Sequence, residues 1–263
     1  MLPISDTPKL DSPPIIEVVC GVFFGAVDGL DPVFVGAWWR DIEADYPGHS
    51  IQPAVTELPV ILPQGALPIR SWLISADDEW VVQVQPDRFY VNWRKRGRSY
   101  PRFSSAGGVL ERAMSELGRF RAFCRSKLRI EIAPSAVELA KVDLVVENVH
   151  WKGQSDLGKV LPVIADVGRA TQSSETELGL RVVQPRSHGV THLSLSLSTD
   201  TIYGGKLARA VKIEARCTRQ LRDVDDDAIR EAFAELNADA NDAFFGLVEP
   251  NELSRFGARK STI

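Results

Sequence analysis

Strict alternation of apolar and polar residues marks three segments of the chain as strands. Ile15–Phe24, Thr191–Thr199 and Leu207–Leu221 each place apolar residues at every second position over much of their length. Successive side chains of a strand point to opposite faces, so each segment has one apolar and one more polar face. One buried and one solvated face is typical of antiparallel sheets.

Helical periodicity predicts a helix that begins at Asp31-Pro32, where an acid caps the helix and proline occupies its first position. Its apolar stripe is Phe34, Trp38 and Ile42, and Tyr46-Pro47-Gly48 ends it. The proline-rich stretch Gln52–Pro68 predicts an extended connection. The other predicted helices are Ser105–Leu128, Asp156–Asp166 and Asp225–Leu247, and the other predicted strands are Ile69–Ser75, Trp80–Gln85, Arg88–Arg94, Val137–Val146 and Leu178–Gln184.

The two halves of the chain carry similar elements in the same order. Pro13–Glu17 opens the first strand and Pro134–Glu138 opens a second one, while Ala113–Leu117 and Ala232–Leu236 place Ala-x-x-Glu-Leu in the helix that closes each half. We therefore predict an α+β fold built by tandem duplication of a strand-helix-strands-helix unit, as repeats 1–130 and 131–263, with helices on one face of an antiparallel sheet. This order resembles the tandem repeat of TATA-binding-protein-like folds, as an analogy of architecture alone.

Charge is segregated along a chain whose net charge is only −4. Asp28–Asp87 holds ten acids and two bases, whereas Arg88–Arg129 holds twelve bases and two acids. Either the two segments complement each other, or the basic one forms a surface that meets phosphate or an acidic protein. Three separate cysteines among apolar neighbours indicate buried thiols in the cytoplasm, and no apolar stretch approaches the ~20 residues of a membrane span.

Common enzyme signatures are absent from the sequence. It has no phosphate-binding Gly-x-x-x-x-Gly-Lys-Ser/Thr loop, no Gly-x-Gly-x-x-Gly after a strand and no Gly-x-Ser-x-Gly elbow. His188 and His192 are four apart, and on a strand that spacing separates side chains by ~13 Å. Neither a cofactor nor a metal site is expected.

Glu17 is the one acid in the apolar strand Ile15–Phe24. A carboxylate in such a strand needs a cationic partner, and we expect Arg94 on a neighbouring strand to supply it. A second interpretation is a catalytic carboxylate, in an enzyme whose polar cluster would also contain Asn92, Arg94 and Tyr100.

The densest candidate site is Phe89–Phe103, where five bases are interleaved with the aromatic residues Trp93 and Tyr100. Alternation places Tyr90, Asn92 and Arg94 on the polar face of the predicted sheet, with Gln83 and Gln85. Arginine with aromatics and amides suits phosphate contacts and base stacking, a basic hairpin tip equally suits a protein partner, and a solvated tip is the third interpretation. The candidate binding residues are Glu17, Gln83, Gln85, Tyr90, Asn92, Arg94, Arg96, Arg98, Tyr100 and Arg102.

These motifs resemble a sporadically distributed family of uncharacterised bacterial proteins. The resemblance spans most of the chain and rests on the Pro-x-x-Glu strand start, Asn92-Trp93-Arg94, Tyr100-Pro101-Arg102 and the closing helix with Phe233 and Phe244. At Val146-Glu147-Asn148 only the asparagine of the family's Tyr-Ile-Asn is retained. The family implies no activity or cofactor, and its patchy distribution favours mobile or defence-associated genes.

The leading interpretation is a non-enzymatic cytoplasmic module that binds another bacterial protein, such as a defence component or a toxin. The alternative is nucleic-acid binding through the polar sheet face and the basic hairpin 88–102, and the third is an enzyme with an unfamiliar site. No membrane contact is expected, and a homo-oligomer is compatible with both binding roles.

Overall fold

The computed structural model describes residues 8–55, 69–171, 178–187 and 189–258. His188 and residues 56–68 of the predicted connection lie outside these ranges. The chain divides into two compact units. The amino-terminal unit comprises Val18–Leu139 and Arg219–Ala234, and the carboxy-terminal unit comprises Met1–Glu17, Ala140–Thr218 and Glu235–Ile263. The division into repeats at residue 130 stays a prediction.

The described residues form an α+β fold with a large antiparallel sheet and six helices. In chain order the elements are β1 (Ile15–Phe24), α1 (Pro32–Ile42), β2 (Gly48–Pro53), β3 (Ile69–Ile74), β4 (Trp80–Gln85), β5 (Arg88–Arg94), α2 (Val109–Leu128), β6 (Pro134–Val146), α3 (Gly153–Val160), α4 (Pro162–Thr171), β7 (Leu178–Arg186), β8 (Gly189–Tyr203), β9 (Lys206–Gln220), α5 (Asp226–Phe245) and the 3₁₀-helix Pro250–Phe256. The strand order is β2-β3-β4-β5-β1-β6-β9-β8-β7. Within it, β2 to β5 and β7 to β9 are antiparallel meanders. No described helix is long and apolar enough to cross a membrane.

The predicted elements with the strongest local signals are confirmed. β1 has the predicted bounds, and β3, β4 and β5 lie within one residue of theirs. Asp31 Oδ1 caps α1 by accepting a hydrogen bond from Phe34 N (2.8 Å), and Asp225 Oδ1 accepts one from Ala228 N (2.7 Å) at the start of α5. Capping and alternation act over a few residues, so they are legible without the tertiary structure.

Three local predictions are wrong. Residues 48–53 form β2, a strand that the sequence did not predict and that includes the first two residues of the predicted connection Gln52–Pro68. The predicted helix Asp156–Asp166 is two helices, α3 and α4, because Pro162 has no N–H to continue the first and begins the second. Helix α2 begins at Val109 rather than Ser105, because Gly107 adopts φ +67° and Gly108 is extended.

Aromatic packing joins both helices of the first half to the sheet in the amino-terminal unit. Trp38 of α1, Phe89 of β5 and Phe120 of α2 are each at most 1% exposed. Phe120 stacks on Phe89 with ring centroids 4.9 Å apart, and it meets Trp38 edge-on at 5.3 Å. These large apolar surfaces are a main source of stability for this unit.

A buried ion-pair network fixes α2 against the turn that follows α1. Glu116, only 1% exposed, lies 3.1 Å from Arg112 Nε and 3.3 Å from Arg119 NH1. Arg112 also donates to the hydroxyl of Tyr46 from Nε (3.2 Å) and NH2 (3.0 Å). Burial and, secondarily, the charge of Glu116 raise the pKa of Tyr46 well above its ordinary value, so its phenol stays neutral.

Candidate functional site

A charged tip forms where the β3–β4 turn meets the end of β5. We define it as Asp77, Asp78 and Glu79 of the turn with Arg94, Arg96 and Arg98. Asp77 is fixed by hydrogen bonds from Ser75 Oγ (2.7 Å) and Glu79 N (3.2 Å), and the hydroxyl of Ser75 is the main cause that lowers the pKa of Asp77. Arg94 N donates to the carbonyl of Glu79 (2.7 Å), which joins the two segments through their backbones.

Ion pairs cross this junction. Arg94 binds Asp78 Oδ1, and Arg96 Nε lies 2.6 Å from Asp78 Oδ2. Arg98 reaches Asp77 at 3.3 Å and Glu79 at 3.6 Å. Three of the five bases of Phe89–Phe103 are therefore balanced by neighbouring acids, and the tip presents both signs of charge.

The interpretation of segregated charge as internal complementarity is confirmed for these pairs. Asp77 and Asp78 belong to the acidic segment and Arg94, Arg96 and Arg98 to the basic one. The pair Arg119–Asp45 (2.8 Å) joins the same two segments elsewhere in the amino-terminal unit. In the folded protein, acids of the acidic segment therefore neutralise these four arginines of the basic segment.

The polar residues of β4 and β5 are buried, so the expectation that they line a solvated face is wrong. Gln83, Gln85, Tyr90 and Asn92 are 2–4% exposed. The amides are instead engaged within the protein: Gln83 Nε2 donates to Asn92 Oδ1 (2.6 Å), and Gln85 Oε1 accepts from Val55 N (3.0 Å). Whether these residues bind a ligand stays a prediction.

Guanidinium groups stack on aromatic rings along this sheet. Arg70 and Arg94 lie 5.4 and 5.7 Å from the ring centroid of Trp72, and Arg88 lies 4.5 Å from that of Phe23. These distances are within the range of cation–π attraction. These long side chains therefore lie over aromatic rings instead of extending fully into water.

The remaining candidate residues are not all gathered at one place. Tyr100 packs its ring 5.3 Å from that of Trp93, whose side chain alternates to the face of β5 opposite Asn92 and Arg94. Arg102 is exposed and adopts φ +65°. Glu17 is half-buried, and its pairing with Arg94 stays a prediction.

Sequence reasoning missed a buried lysine and aspartate on β6. Lys141 and Asp143 are 6% and 7% exposed, and Lys141 Nζ donates to Asn241 Oδ1 of α5 (2.6 Å). Burial raises the pKa of Asp143 to about 7, and the charge of Lys141 opposes that rise. The signal was present: two charged residues at i and i+2 interrupt an apolar strand, the same anomaly that singled out Glu17.

The raised pKa of Asp143 predicts a pH-dependent stability. The folded protein holds a proton here that the unfolded chain releases above the ordinary aspartate pKa of 3.8. The free energy of unfolding should therefore fall as pH rises from about 4 to about 7, by at most ~1.4 kcal/mol per pH unit, and level off above that window. In Asp143→Asn this component should be missing, whereas Asp242→Asn, an exposed change on α5, should keep it. Urea unfolding at pH 5 and pH 7 measures the difference, and equal slopes for wild type and Asp143→Asn would contradict the assignment.

In the described ranges, the potential metal ligands do not cluster and the cysteines are buried. No group of three or more His, Cys, Asp or Glu residues there could hold a metal ion. Cys20, Cys124 and Cys217 are buried and form no disulfide. Burial raises the pKa of Cys124 to about 12 and that of Cys217 to about 11, which keeps both thiols protonated and poorly nucleophilic at neutral pH.

Comparison with known proteins adds no family. No protein-family model matches the chain, and no curated protein matches it.

Proposed function

We propose that this protein is a non-enzymatic cytoplasmic module that binds another protein through the charged tip. The observation that carries the proposal is the set of ion pairs by which Asp77, Asp78 and Glu79 engage Arg94, Arg96 and Arg98. A surface with both signs of charge in a fixed arrangement suits a partner of complementary pattern, because charge complementarity sets specificity and register at protein interfaces.

Balanced charge is poorly suited to nucleic acid. Affinity for a phosphate backbone comes mainly from cations that displace condensed counterions. At the tip, Asp78 forms ion pairs with Arg94 and Arg96. Arg98 forms ion pairs with the other two acids, Asp77 and Glu79. The resemblance to a sporadically distributed bacterial family favours a defence component or a toxin as the partner.

Nucleic-acid binding stays the alternative because of one observation on the β3–β4 face. Trp72 Nε1 and Gln83 Oε1, which belong to directly opposed residues, have no hydrogen-bond partner among the described residues. The indole of Trp72 is flanked by two guanidinium groups, and its Nε1 donor and the Gln83 Oε1 acceptor are unused, which suits a stacked base. That role requires the side chains over Gln83 to move.

We also infer that the fold arose by duplication of a TATA-binding-protein-like unit. Support comes from the strand order, in which β3-β4-β5-β1 of the first half corresponds to β7-β8-β9-β6 of the second. Superposing residues 13–129 on 134–248 should pair these strands one to one, and pairing of fewer than half of them would contradict the duplication.

Removing the two exposed tip cations together with Arg102, a further exposed base of the hairpin 88–102, should abolish capture of one specific polypeptide from a lysate of the source organism. The test variant is Arg96→Gln with Arg98→Gln and Arg102→Gln; Arg94 is left in place because its side chain is only 14% exposed. The matched control replaces Lys127, Arg129 and Arg222, three exposed bases of the same unit. Capture should survive nuclease and the control changes.

Nucleic-acid binding would give a different and equally specific set of results. If nucleic acid is the ligand, capture is lost on nuclease treatment, and log affinity for free DNA or RNA falls linearly with log salt by about 0.7–0.9 per phosphate contacted. A micromolar, salt-steep complex of this kind would overturn the protein-binding proposal.

A further inference from the structure

The carboxy-terminal unit holds a surface cavity of about 560 Å³. The turn after β6, helix α3 and the 3₁₀-helix Pro250–Phe256 form its wall. Its volume falls in the range of roughly 300–1,000 Å³ that small-molecule sites occupy. Six of its polar lining residues are Asn148, Lys152, Ser155, Asp156, Lys159 and Arg255.

The single acid among these six residues, Asp156, accepts hydrogen bonds from other groups of the protein. Arg255 binds Asp156 with two parallel hydrogen bonds, NH1 to Oδ2 at 2.7 Å and NH2 to Oδ1 at 2.9 Å. Lys152 N donates to the same Oδ2 (2.7 Å). The Arg255 side chain is the main cause that lowers the pKa of Asp156 to about 2, so this carboxylate is ionised at neutral pH; Arg255 also pairs with Glu252.

The cavity wall also contains two lysines that take no part in these bonds through their side chains. Among the described residues, the ammonium groups of Lys152 and Lys159 have no ion-pair partner, although both residues line the cavity. Arg255 is shared between Asp156 and Glu252, whose carboxylate binds Arg255 Nε, so these two acids, Arg255, Lys152 and Lys159 together carry an excess of one positive charge. A cavity whose wall carries two ammonium groups without an ion-pair partner attracts an anion.

Neutral donors accompany the lysines. Ser155 offers a hydroxyl and Asn148 an amide in the same wall. The turn is set by Asn148, which adopts φ +63°, a conformation that asparagine tolerates better than most residues, and which donates its N–H to the carbonyl of Trp151 (2.7 Å). Hydroxyl, amide and ammonium donors are the groups that bind phosphate oxygens.

We propose that this cavity binds a phosphate monoester of a small organic molecule. The dianion lies between Lys152 and Lys159, and Ser155 donates a hydrogen bond to it. The rest of the cavity accommodates the organic group, against the exposed apolar side chain of Val149, which also lines it. This site is independent of the protein-binding role proposed for the charged tip.

Calorimetric titration of the full-length protein with inorganic phosphate and with phenyl phosphate tests the site. Both probes should bind saturably, phenyl phosphate more tightly because its ring fills the cavity. In the double variant Lys152→Gln and Lys159→Gln, both should bind at least about tenfold more weakly, which corresponds to ~1.4 kcal/mol. The matched control is Lys206→Gln with Lys212→Gln, two exposed lysines of the same unit that do not line the cavity; it should bind like wild type.

Three results would each overturn the proposal. They are the absence of saturable binding of both probes to wild type, unchanged affinity in the Lys152/Lys159 variant, and an equal loss in the Lys206/Lys212 control. Inorganic phosphate that bound as tightly as phenyl phosphate would overturn the assignment to a monoester. Unfolding temperatures of both variants within a few degrees of wild type confirm that affinity is compared between folded proteins.

Discussion

Replacing Phe120 by alanine is expected to lower the free energy of unfolding by about 3–5 kcal/mol. The ring has no exposed surface and packs on Phe89, Trp38 and Phe24, so its removal takes away apolar burial and leaves a cavity between two helices and the sheet. Urea unfolding monitored by circular dichroism measures the loss. Val33→Ala, at a helix position that is 82% exposed, is the control and should change stability by less than about 0.5 kcal/mol. A loss below about 1 kcal/mol for Phe120→Ala would show that this aromatic cluster is not the core of the amino-terminal unit.

Replacing Glu116 by glutamine is expected to cost about 2–3 kcal/mol, less than the ~3–5 kcal/mol of a fully buried pair because both arginine partners retain solvent contact. Arg112 and Arg119 are each 36% exposed, whereas Glu116 is buried. The change preserves shape and removes only the charge that these two cations share.

The matched control is Glu43→Gln in the exposed pair Arg40–Glu43. Surface pairs of this kind contribute about 0–1 kcal/mol. Urea unfolding of both variants gives the comparison. Equal stabilities of Glu116→Gln and Glu43→Gln would mean that the buried network adds nothing beyond an ordinary surface pair.

Much of the fold was accessible from the sequence because its signals are local. Alternation located β1 and the meander of β3, β4 and β5, and the capping residues Asp31 and Asp225 marked helix starts. The strand β2 was missed because residues 48–53 have no clean alternation of polarity, and only their pairing with β3 makes them a strand.

Burial of polar residues could not be predicted from alternation. A polar side chain at every second position indicates which face it occupies, but whether water reaches that face depends on its neighbours. Gln83 and Asn92 occupy the predicted face yet are buried, because they bond to each other beside stacked arginine and aromatic side chains. The pattern of polarity along a strand therefore indicates which face of the sheet a side chain occupies, but it is a weak indicator of whether water reaches that side chain.

The ion pairs of the tip could be predicted once the pairing of β4 with β5 is known. The acids 77–79 lie between the predicted strands Ile69–Ser75 and Trp80–Gln85, and the register that opposes Trp80 to Trp93 places the next residues of each strand side by side. Extending that register by one position brings Glu79 beside Arg94. The cavity could not be predicted from the sequence, because Asp156 and Arg255, which bind each other in its wall, are 99 residues apart in the chain.

The arrangement of charges at the tip is tested most directly by exchanging one ion pair. The variant Asp77→Arg with Arg98→Asp reverses a pair whose side-chain atoms lie 3.3 Å apart, while the net charge of the protein stays at −4. The control exchange is Arg40→Glu with Glu43→Arg on α1, an exposed pair at 2.7 Å. Affinity capture from a lysate treated with nuclease, followed by mass spectrometry, is the measurement. We expect the tip exchange to lose the polypeptide that wild type and control capture, because a protein partner reads the arrangement of charges and not their sum. Undiminished capture by the tip exchange would contradict the proposal that the charged tip recognises a protein.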